Sequence, residues 1–161
     1  MLSLCDTPGF MVGPEAEKVA LVRRTSRMFV VSGALSVPIF TVVLRKGYGL
    51  GAQAMAGGSF HAPFFIVSWP TGEFGGMGLE GAVRLGYRKE LEAETSPEAK
   101  KALFDHLVAQ SYERGKAVNV AQVLEIDAVI DPAESRAWIV RGLKSRAPRE
   151  DKGRRRFVDT W

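Results

Sequence analysis

Short apolar runs alternate along this chain with longer segments in which apolar residues recur every three or four positions. The short runs are rich in β-branched and aromatic residues, and they predict strands at residues 2–5, 39–44, 64–69 and 128–130. The periodic segments predict helices at residues 14–35, 79–91, 96–112 and 131–144. A glycine-rich stretch at residues 71–78 is too short and too broken for a helix, so we expect it to be extended.

The alternation of strands and helices predicts an α/β fold. The predicted strands are too continuously apolar to keep one face in water, which is typical of a parallel sheet covered by helices on both sides. The first predicted strand begins at the second residue, with no element before it. We therefore expect this buried strand either to form the edge of the sheet or to lack a neighbour that normally precedes it.

Residues 43–58 (VLRKGYGLGAQAMAGG) run from a predicted strand into a segment with five glycines and three alanines. Glycine inside a regular element costs roughly 0.5–1 kcal/mol relative to alanine. Such a concentration therefore indicates a sharp turn, close packing, or a ligand that approaches the backbone. Packing alone accounts for part of the pattern, because small residues let a helix lie close to a sheet.

A dinucleotide site is a second interpretation of this segment. Gly47, Gly49 and Ala52 match the spacing of a phosphate-binding turn between a strand and a helix. Two charged residues nevertheless separate the strand from Gly47, and the next predicted strand runs into Pro70 without the acidic residue that would bind a ribose. These features argue against dinucleotide binding.

A third interpretation is an oxyanion hole made of backbone amides. The first amides of a helix have no acceptor within the helix, and they carry the positive end of its dipole. A glycine-rich entry lets an oxygen approach them, and one such donor in a dry site is worth about 3 kcal/mol. This chemistry needs no catalytic side chain, which suits a sequence where Cys5 lies in a predicted strand and His61 and His106 are isolated.

Composition and charge exclude several classes of protein. With 161 residues and 46% hydrophobic content, the chain suits one globular domain, and no run reaches the roughly 20 apolar residues of a membrane span. Without a signal peptide, and with one cysteine, we expect a cytoplasmic protein that has no internal disulfide and no metal site.

The positive charge of the chain is concentrated at its C-terminal end. Residues 141–161 hold eight basic and three acidic residues, which gives +5, so the net charge of +4 leaves −1 for the rest of the chain. That distribution predicts a basic tail, with no nucleic-acid or membrane partner.

Four motifs then occur in order: DTPGF at 6–10, TVVLRKGYGLGAQAM at 41–55, WPTGEFGGMGLEGAV at 69–83 and IDAVIDPAESRAWIVRGL at 126–143. Together they resemble the carboxyltransferase subunits of biotin-dependent acyl-CoA carboxylases, the β-type chains of propionyl-CoA and acetyl-CoA carboxylase. The resemblance implies a crotonase-like fold of ββα units. It identifies residues 1–146 as part of the C-terminal, carboxybiotin-side domain, incomplete at its N-terminus, and leaves 147–161 as the basic tail.

The resemblance also implies the residues of a site. The family's oxyanion-hole pair of glycine and alanine falls on Leu50 and Gly51 in an ungapped match, and on Gly51 and Ala52 after a shift of one residue. Gly51 is common to both matches, and its partner stays open. The residues that the resemblance places against carboxybiotin are Gly9, Phe10, Gly49 and Gln53.

The implied reaction moves a carboxyl group from carboxybiotin to the α-carbon of an acyl-CoA of the propionyl or acetyl class. Biotin would arrive on a carrier protein. The implied partners are acyl-CoA, the biotin carboxyl carrier and biotin carboxylase subunits, and a homo-oligomer or the missing N-terminal half that completes the site. Two alternatives stay open: a subunit of a biotin-dependent acyl-CoA decarboxylase, and a truncated non-catalytic remnant that only assembles with partners. We expect this chain alone to be inactive.

Overall fold

The computed structural model describes residues 1–146, which form a five-stranded parallel sheet with helices on both faces. The predicted basic tail at 147–161 lies outside the described residues. The elements are β1 (Leu2–Thr7), α1 (Pro14–Lys18), α2 (Leu21–Ala34), β2 (Phe40–Tyr48), α3 (Gly49–Met55), β3 (Phe65–Ser68), β4 (Glu73–Gly75), α4 (Leu79–Gly86), α5 (Arg88–Ala93), α6 (Pro97–Arg114), α7 (Ala117–Gln122), β5 (Ala128–Val129), a 3₁₀ turn (Pro132–Glu134) and α8 (Ser135–Ser145).

The sheet is organised around β2. Its strand order is β1-β2-β3-β5, with every pair parallel. Along the edge of β2 that faces away from β1, β3 pairs with Phe40 to Val43, and β4 pairs with Lys46 to Tyr48. Two short strands therefore share one edge of a long one.

Apolar side chains of the strands alternate between two clusters on opposite faces of the sheet. One cluster joins Val43 and Ile66 to small residues of α3 and α7, and the other joins Val42 and Val67 to α8. Val42, Val43 and Val67 have no exposed surface. The prediction of a sheet covered on both faces is thus confirmed for its central strands.

The prediction of a buried first strand is wrong for most of β1. This strand forms the edge of the sheet, where Leu2 and Leu4 expose 45% and 53% of their surfaces and only Cys5 is fully buried. Burial raises the pKa of the Cys5 thiol to about 11, with a smaller contribution from Asp6. An apolar sequence shows that a side chain can be buried, but it does not show that a neighbour is present to cover it.

Two predicted helices are each divided in the structure. The first is interrupted where Ala20 adopts a left-handed conformation with φ of 52°, and the second is interrupted at Tyr87. Apolar periodicity continues across both breaks, so the pattern did not show them. Helix α7 was not predicted because its six residues are too few to display a period. None of the helices within residues 1–146 is both long enough and apolar enough to cross a bilayer.

The contact between α8 and the sheet gives a prediction about Gly142. A Cβ at this position would stand 2.9 Å from Cε1 of Phe65 and 3.1 Å from Cε1 of Phe40, and these two rings stack at 4.8 Å. Helix propensity favours Gly142→Ala by up to about 1 kcal/mol. Overpacking of the fixed rings outweighs that gain, so we expect the free energy of unfolding in urea to fall by about 1–3 kcal/mol.

Gly33→Ala in α2 is the matched control for this substitution, because a Cβ there would have no atom of residues 1–146 within 4 Å. The control is expected to be neutral or slightly stabilising. A Gly142→Ala variant as stable as the control would show that α8 can move off the sheet without cost.

Candidate active site

The chain passes from β2 into α3 without a loop. Tyr48 is extended, with φ of −102°, and the next residue, Gly49, has a φ of 56° and begins the helix. A Cβ at Gly49 would also stand 2.6 Å from the carbonyl oxygen of Gly76. Glycine is therefore required here for both conformation and space. The predictions of a buried strand before this turn and of a helix that begins within residues 48–53 are confirmed.

The loop of residues 6–10 lies directly against the first turn of α3. A Cβ on Gly51 would stand 2.9 Å from Cα of Gly9 and 3.3 Å from Oγ1 of Thr7. Gly9 has a φ of 100°, and its own Cβ position lies 3.4 Å from the carbonyl oxygen of Tyr48. The absence of a side chain at Gly51 is thus explained by close backbone packing. Any side chain added there would displace this loop before it met a ligand.

Asp6 anchors this loop to β2. The β1–β2 ladder is irregular between Cys5 and Thr7, where three residues of β2 stand opposite Asp6. Oδ1 of Asp6 accepts a hydrogen bond from the Lys46 amide at 3.0 Å, and Oδ2 lies 3.3 Å from Nη2 of Arg45. The Lys46 amide, assisted by Arg45, lowers the pKa of Asp6. The carboxylate therefore takes the place of a missing carbonyl acceptor and holds the loop at the strand end.

The first turn of α3 presents unpaired backbone amides. Helix geometry leaves the amides of its first three residues without an acceptor inside the helix. Within residues 1–146, no carbonyl from another element accepts a hydrogen bond from Leu50 or Gly51. Ala52, the fourth residue, is the first whose amide has a carbonyl one turn earlier. The Leu50 side chain is 59% exposed, whereas Ala52 is fully buried.

Two tyrosine–carboxylate pairs lie beside this turn, and sequence reasoning did not assign them. The Tyr48 hydroxyl donates to Oε2 of Glu73 at 3.0 Å, and the Tyr112 hydroxyl donates to Oε1 of Glu80 at 2.9 Å. Burial and the Glu73 carboxylate raise the pKa of Tyr48, so this hydroxyl stays protonated. The Tyr48–Glu73 bond joins β2 to β4 at the point where α3 begins. Tyr48 is the last residue of β2 and Glu73 is the first residue of β4, and neither segment alone shows that the two strands pair.

Contacts in the structure bring some of the predicted site residues together, but not all of them. Gly9 meets Gly51 directly, and Gly49, Leu50, Gly51 and Ala52 follow one another through the turn. Phe10 and Gln53 are half-buried, and the Gln53 side chain makes no hydrogen bond within residues 1–146. The nearby Thr71 hydroxyl donates to the Leu44 carbonyl at 2.6 Å, so it is engaged with the middle of β2.

The structure weakens the rival chemistries of this segment. Gly47, the first glycine of the dinucleotide-like spacing, lies inside β2 and pairs with both Thr7 and Phe74. A phosphate-binding glycine would lie in the turn itself, not inside the strand.

The two histidines lie apart from this turn. His61 is exposed near Glu125, and His106 contacts Gln110 on the surface of α6. Among the described residues, no group of three or more His, Cys, Asp or Glu side chains is arranged to hold a metal.

The Tyr48–Glu73 bond gives a prediction about stability and its dependence on pH. Tyr48→Phe leaves the half-buried Glu73 carboxylate without this donor, so we expect a loss of about 1 kcal/mol in the free energy of unfolding at pH 7. The raised pKa of Tyr48 means that its contribution is complete below the ordinary tyrosine value of about 10 and is lost as pH rises above it. Denaturation between pH 7 and 11 should therefore show a smaller alkaline loss in the variant.

Tyr87→Phe is the matched control, because the Tyr87 hydroxyl makes no hydrogen bond in the described part of the chain. It should leave both the stability at pH 7 and the alkaline slope unchanged. Equal behaviour of the two variants would contradict a contribution from the Tyr48–Glu73 bond.

Comparisons with known proteins identify the family of the chain. The sequence profile of the carboxyl transferase domain matches residues 1–157. The chain is 34% identical over 148 residues to the methylmalonyl-CoA carboxyltransferase 12S subunit of Propionibacterium freudenreichii, and 32% identical over 145 residues to the propionyl-CoA carboxylase carboxyltransferase subunit of Haloferax mediterranei. Each comparison covers 89% of this chain and 27% of the relative, so the chain spans about a quarter of their length.

Solved structures share the fold. A single-chain, multi-domain long-chain acyl-CoA carboxylase matches with 63% identity and a TM-score of 0.75, over 87% of this chain and 13% of that one. The transcarboxylase 12S hexamer with methylmalonyl-CoA bound matches with 30% identity and a TM-score of 0.76, over 94% and 30%. The β subunit of Pseudomonas aeruginosa geranyl-CoA carboxylase matches with 28% identity and a TM-score of 0.77, over 89% and 27%. These matches confirm the predicted crotonase-like α/β fold, and the chain belongs to the carboxyl transferase domain family.

Proposed function

We propose that this chain forms the carboxybiotin side of the carboxyltransferase in a biotin-dependent acyl-CoA carboxylase. The proposal rests on the structure of the turn after β2. The segment that resembles the family's oxyanion hole falls where α3 begins and where two adjacent backbone amides have no acceptor among residues 1–146. Family membership over residues 1–157 supports the same assignment.

Of the two matches to the family's oxyanion-hole pair, we favour Leu50 and Gly51. Both residues lie in the first three positions of α3, where an amide is free to donate to a ligand. Ala52 lies at the fourth position, where its amide has an acceptor inside the helix. Ala52 would then support the turn by packing against the sheet.

These residues fit a biotin ureido group. When bound, carboxybiotin supplies the carboxyl group that is transferred. The Leu50 and Gly51 amides would donate to the ureido oxygen and stabilise negative charge there, because fixed donors need no rearrangement as the charge grows. Gly9, Phe10, Gly49 and Gln53 would bound the pocket around it. The nearest loop carboxylate, Asp6, is already held by Lys46 and Arg45, so it does not compete for those amides.

The acyl substrate that we propose is a long-chain acyl-CoA. The motifs alone suggested the propionyl or acetyl class. Identity to the long-chain acyl-CoA carboxylase is 63%, whereas identity to the transcarboxylase 12S and geranyl-CoA carboxylase structures is 30% and 28%. The biotin carboxyl carrier and biotin carboxylase would be the partners. The acyl-CoA side would come from polypeptide beyond the residues described, in the same or a neighbouring subunit.

The two amides can be tested in the isolated chain by titration with biotin, observed by ¹H–¹⁵N NMR. We expect the largest shifts at Leu50 and Gly51. Leu50→Pro removes one donor, and because proline is tolerated in the first turn of a helix it should preserve the fold. It should weaken biotin binding about tenfold, the effect of losing one hydrogen bond. Leu50→Ala keeps the amide and is expected to bind like the unaltered chain. Equal binding by the two variants would contradict the role of this amide.

The substrate can be tested by adding, in turn, the acyl-CoA side of a long-chain and of a propionyl-CoA carboxyltransferase. Carboxyl transfer to free biotin is measured for each from its own carboxylated acyl-CoA, relative to the rate of that acyl-CoA side with its natural partner. We expect a higher relative kcat/KM for long-chain than for propionyl substrates. Leu50→Pro should lower the rate by about 10²–10³-fold with either substrate, as expected for a lost oxyanion donor. A preference for propionyl substrates would contradict the proposed acyl class while leaving the amide test intact.

A further inference from the structure

A groove of about 470 Å³ lies between α4, α5 and α6. None of its lining residues belongs to the turn after β2 or to the loop of residues 6–10. Its volume falls within the range of small-molecule sites, roughly 300–1,000 Å³. The groove is therefore a separate candidate for ligand binding.

The groove concentrates positive charge. Four cations, Arg84, Arg88, Lys100 and Lys101, line it together with one carboxylate, Glu92. These charges sum to +3, whereas residues 1–140 as a whole carry 14 basic and 15 acidic residues, or −1. A cleft lined by one sign of charge raises the local concentration of ions of the opposite sign.

Two of these cations have no carboxylate partner in the described part of the chain. Arg88 pairs with Glu92 at 2.8 Å, and Lys101 pairs with a carboxylate one turn along α6. Within residues 1–146, neither Arg84 nor Lys100 forms a salt bridge. The Arg84 guanidinium lies 4.8 Å from the centroid of the Phe104 ring, which orients it without neutralising it. One unneutralised charge thus comes from α4 and the other from α6.

The walls between these charges are largely apolar. Leu91 is 6% exposed, and Pro97 and the half-buried Phe104 complete the apolar part of the lining. The carbon stems of the basic side chains extend this surface. The groove therefore combines a positive rim with an apolar floor.

We propose that this groove binds an organic phosphate, a molecule with at least two negative charges joined to a flat or apolar body. A phosphate group can accept from the Arg84 guanidinium and the Lys100 ammonium together, and arginine matches phosphate geometry with two parallel hydrogen bonds. A single carboxylate would leave one of the two cations without compensation. The body of the ligand would cover Leu91, Pro97 and Phe104.

Calorimetric titration of the 161-residue chain with pyrophosphate, ADP and adenosine tests each part of the ligand. We expect ADP to bind more tightly than pyrophosphate, because only ADP covers the apolar floor. Adenosine should not bind measurably, because it lacks the phosphates. Salt should weaken ADP binding, as expected for exposed charges. An ADP dissociation constant weaker than about 1 mM would overturn the proposal.

Variants locate the binding. Lys100→Gln and Arg84→Gln should each weaken ADP about tenfold, since each removes one charge-assisted hydrogen bond. Lys89→Gln, a change on α5 outside the groove lining, should have no effect. A chain with Lys152, Arg154, Arg155 and Arg156 changed to Gln should also bind ADP normally. Loss of binding in that chain, with none in Lys100→Gln and Arg84→Gln, would assign the ligand to the basic tail and overturn the proposal.

Discussion

The backbone of Gly9 lies against Gly51, where a side chain would otherwise stand, and this contact sets the position of the loop above α3. The contact depends on the parallel pairing of β1 with β2, which brings the end of one strand beside the turn that follows the other. It also depends on Asp6, which bridges the irregular part of the ladder. The geometry of the proposed amide site is thus a consequence of two strands and one carboxylate.

Local patterns predicted the features that depend on local chemistry. The change from β-branched residues to glycine and alanine marked the start of α3, because only glycine meets both the φ of Gly49 and the nearness of Gly76. The predicted strand end at residue 44 was wrong, because pairing with β1 and β4 extends β2 to Tyr48. The Ser96 cap followed by proline marked α6, where the Ser96 hydroxyl accepts from the Ala99 amide. The four motifs indicated the family, and the family implied the crotonase-like fold.

Features that depend on distant residues were not predicted. The exposure of Leu2 and Leu4 is determined by the neighbours of β1, which its own sequence does not encode. Tyr48 and Glu73 are 25 residues apart and meet only because β2 and β4 pair in register. The packing of Gly51 against Gly9 likewise joins two motifs that are separated by a helical segment. The missing side chain at Gly51 thus makes room for the loop backbone, and the proposed ligand contact of this residue is made by its amide alone.

The division of one edge of β2 between β3 and β4 has a further consequence. The Thr71 hydroxyl donates to the Leu44 carbonyl, which lies between the residues of β2 paired with β3 and those paired with β4. The core strand β3 and the strand that leads to α4 therefore form separate ladders with β2. The two ladders nevertheless share one core, because Ile66 of β3 and Phe74 of β4 belong to the same apolar cluster. An insertion between these strands that displaced Phe74 would therefore also loosen the packing around Ile66.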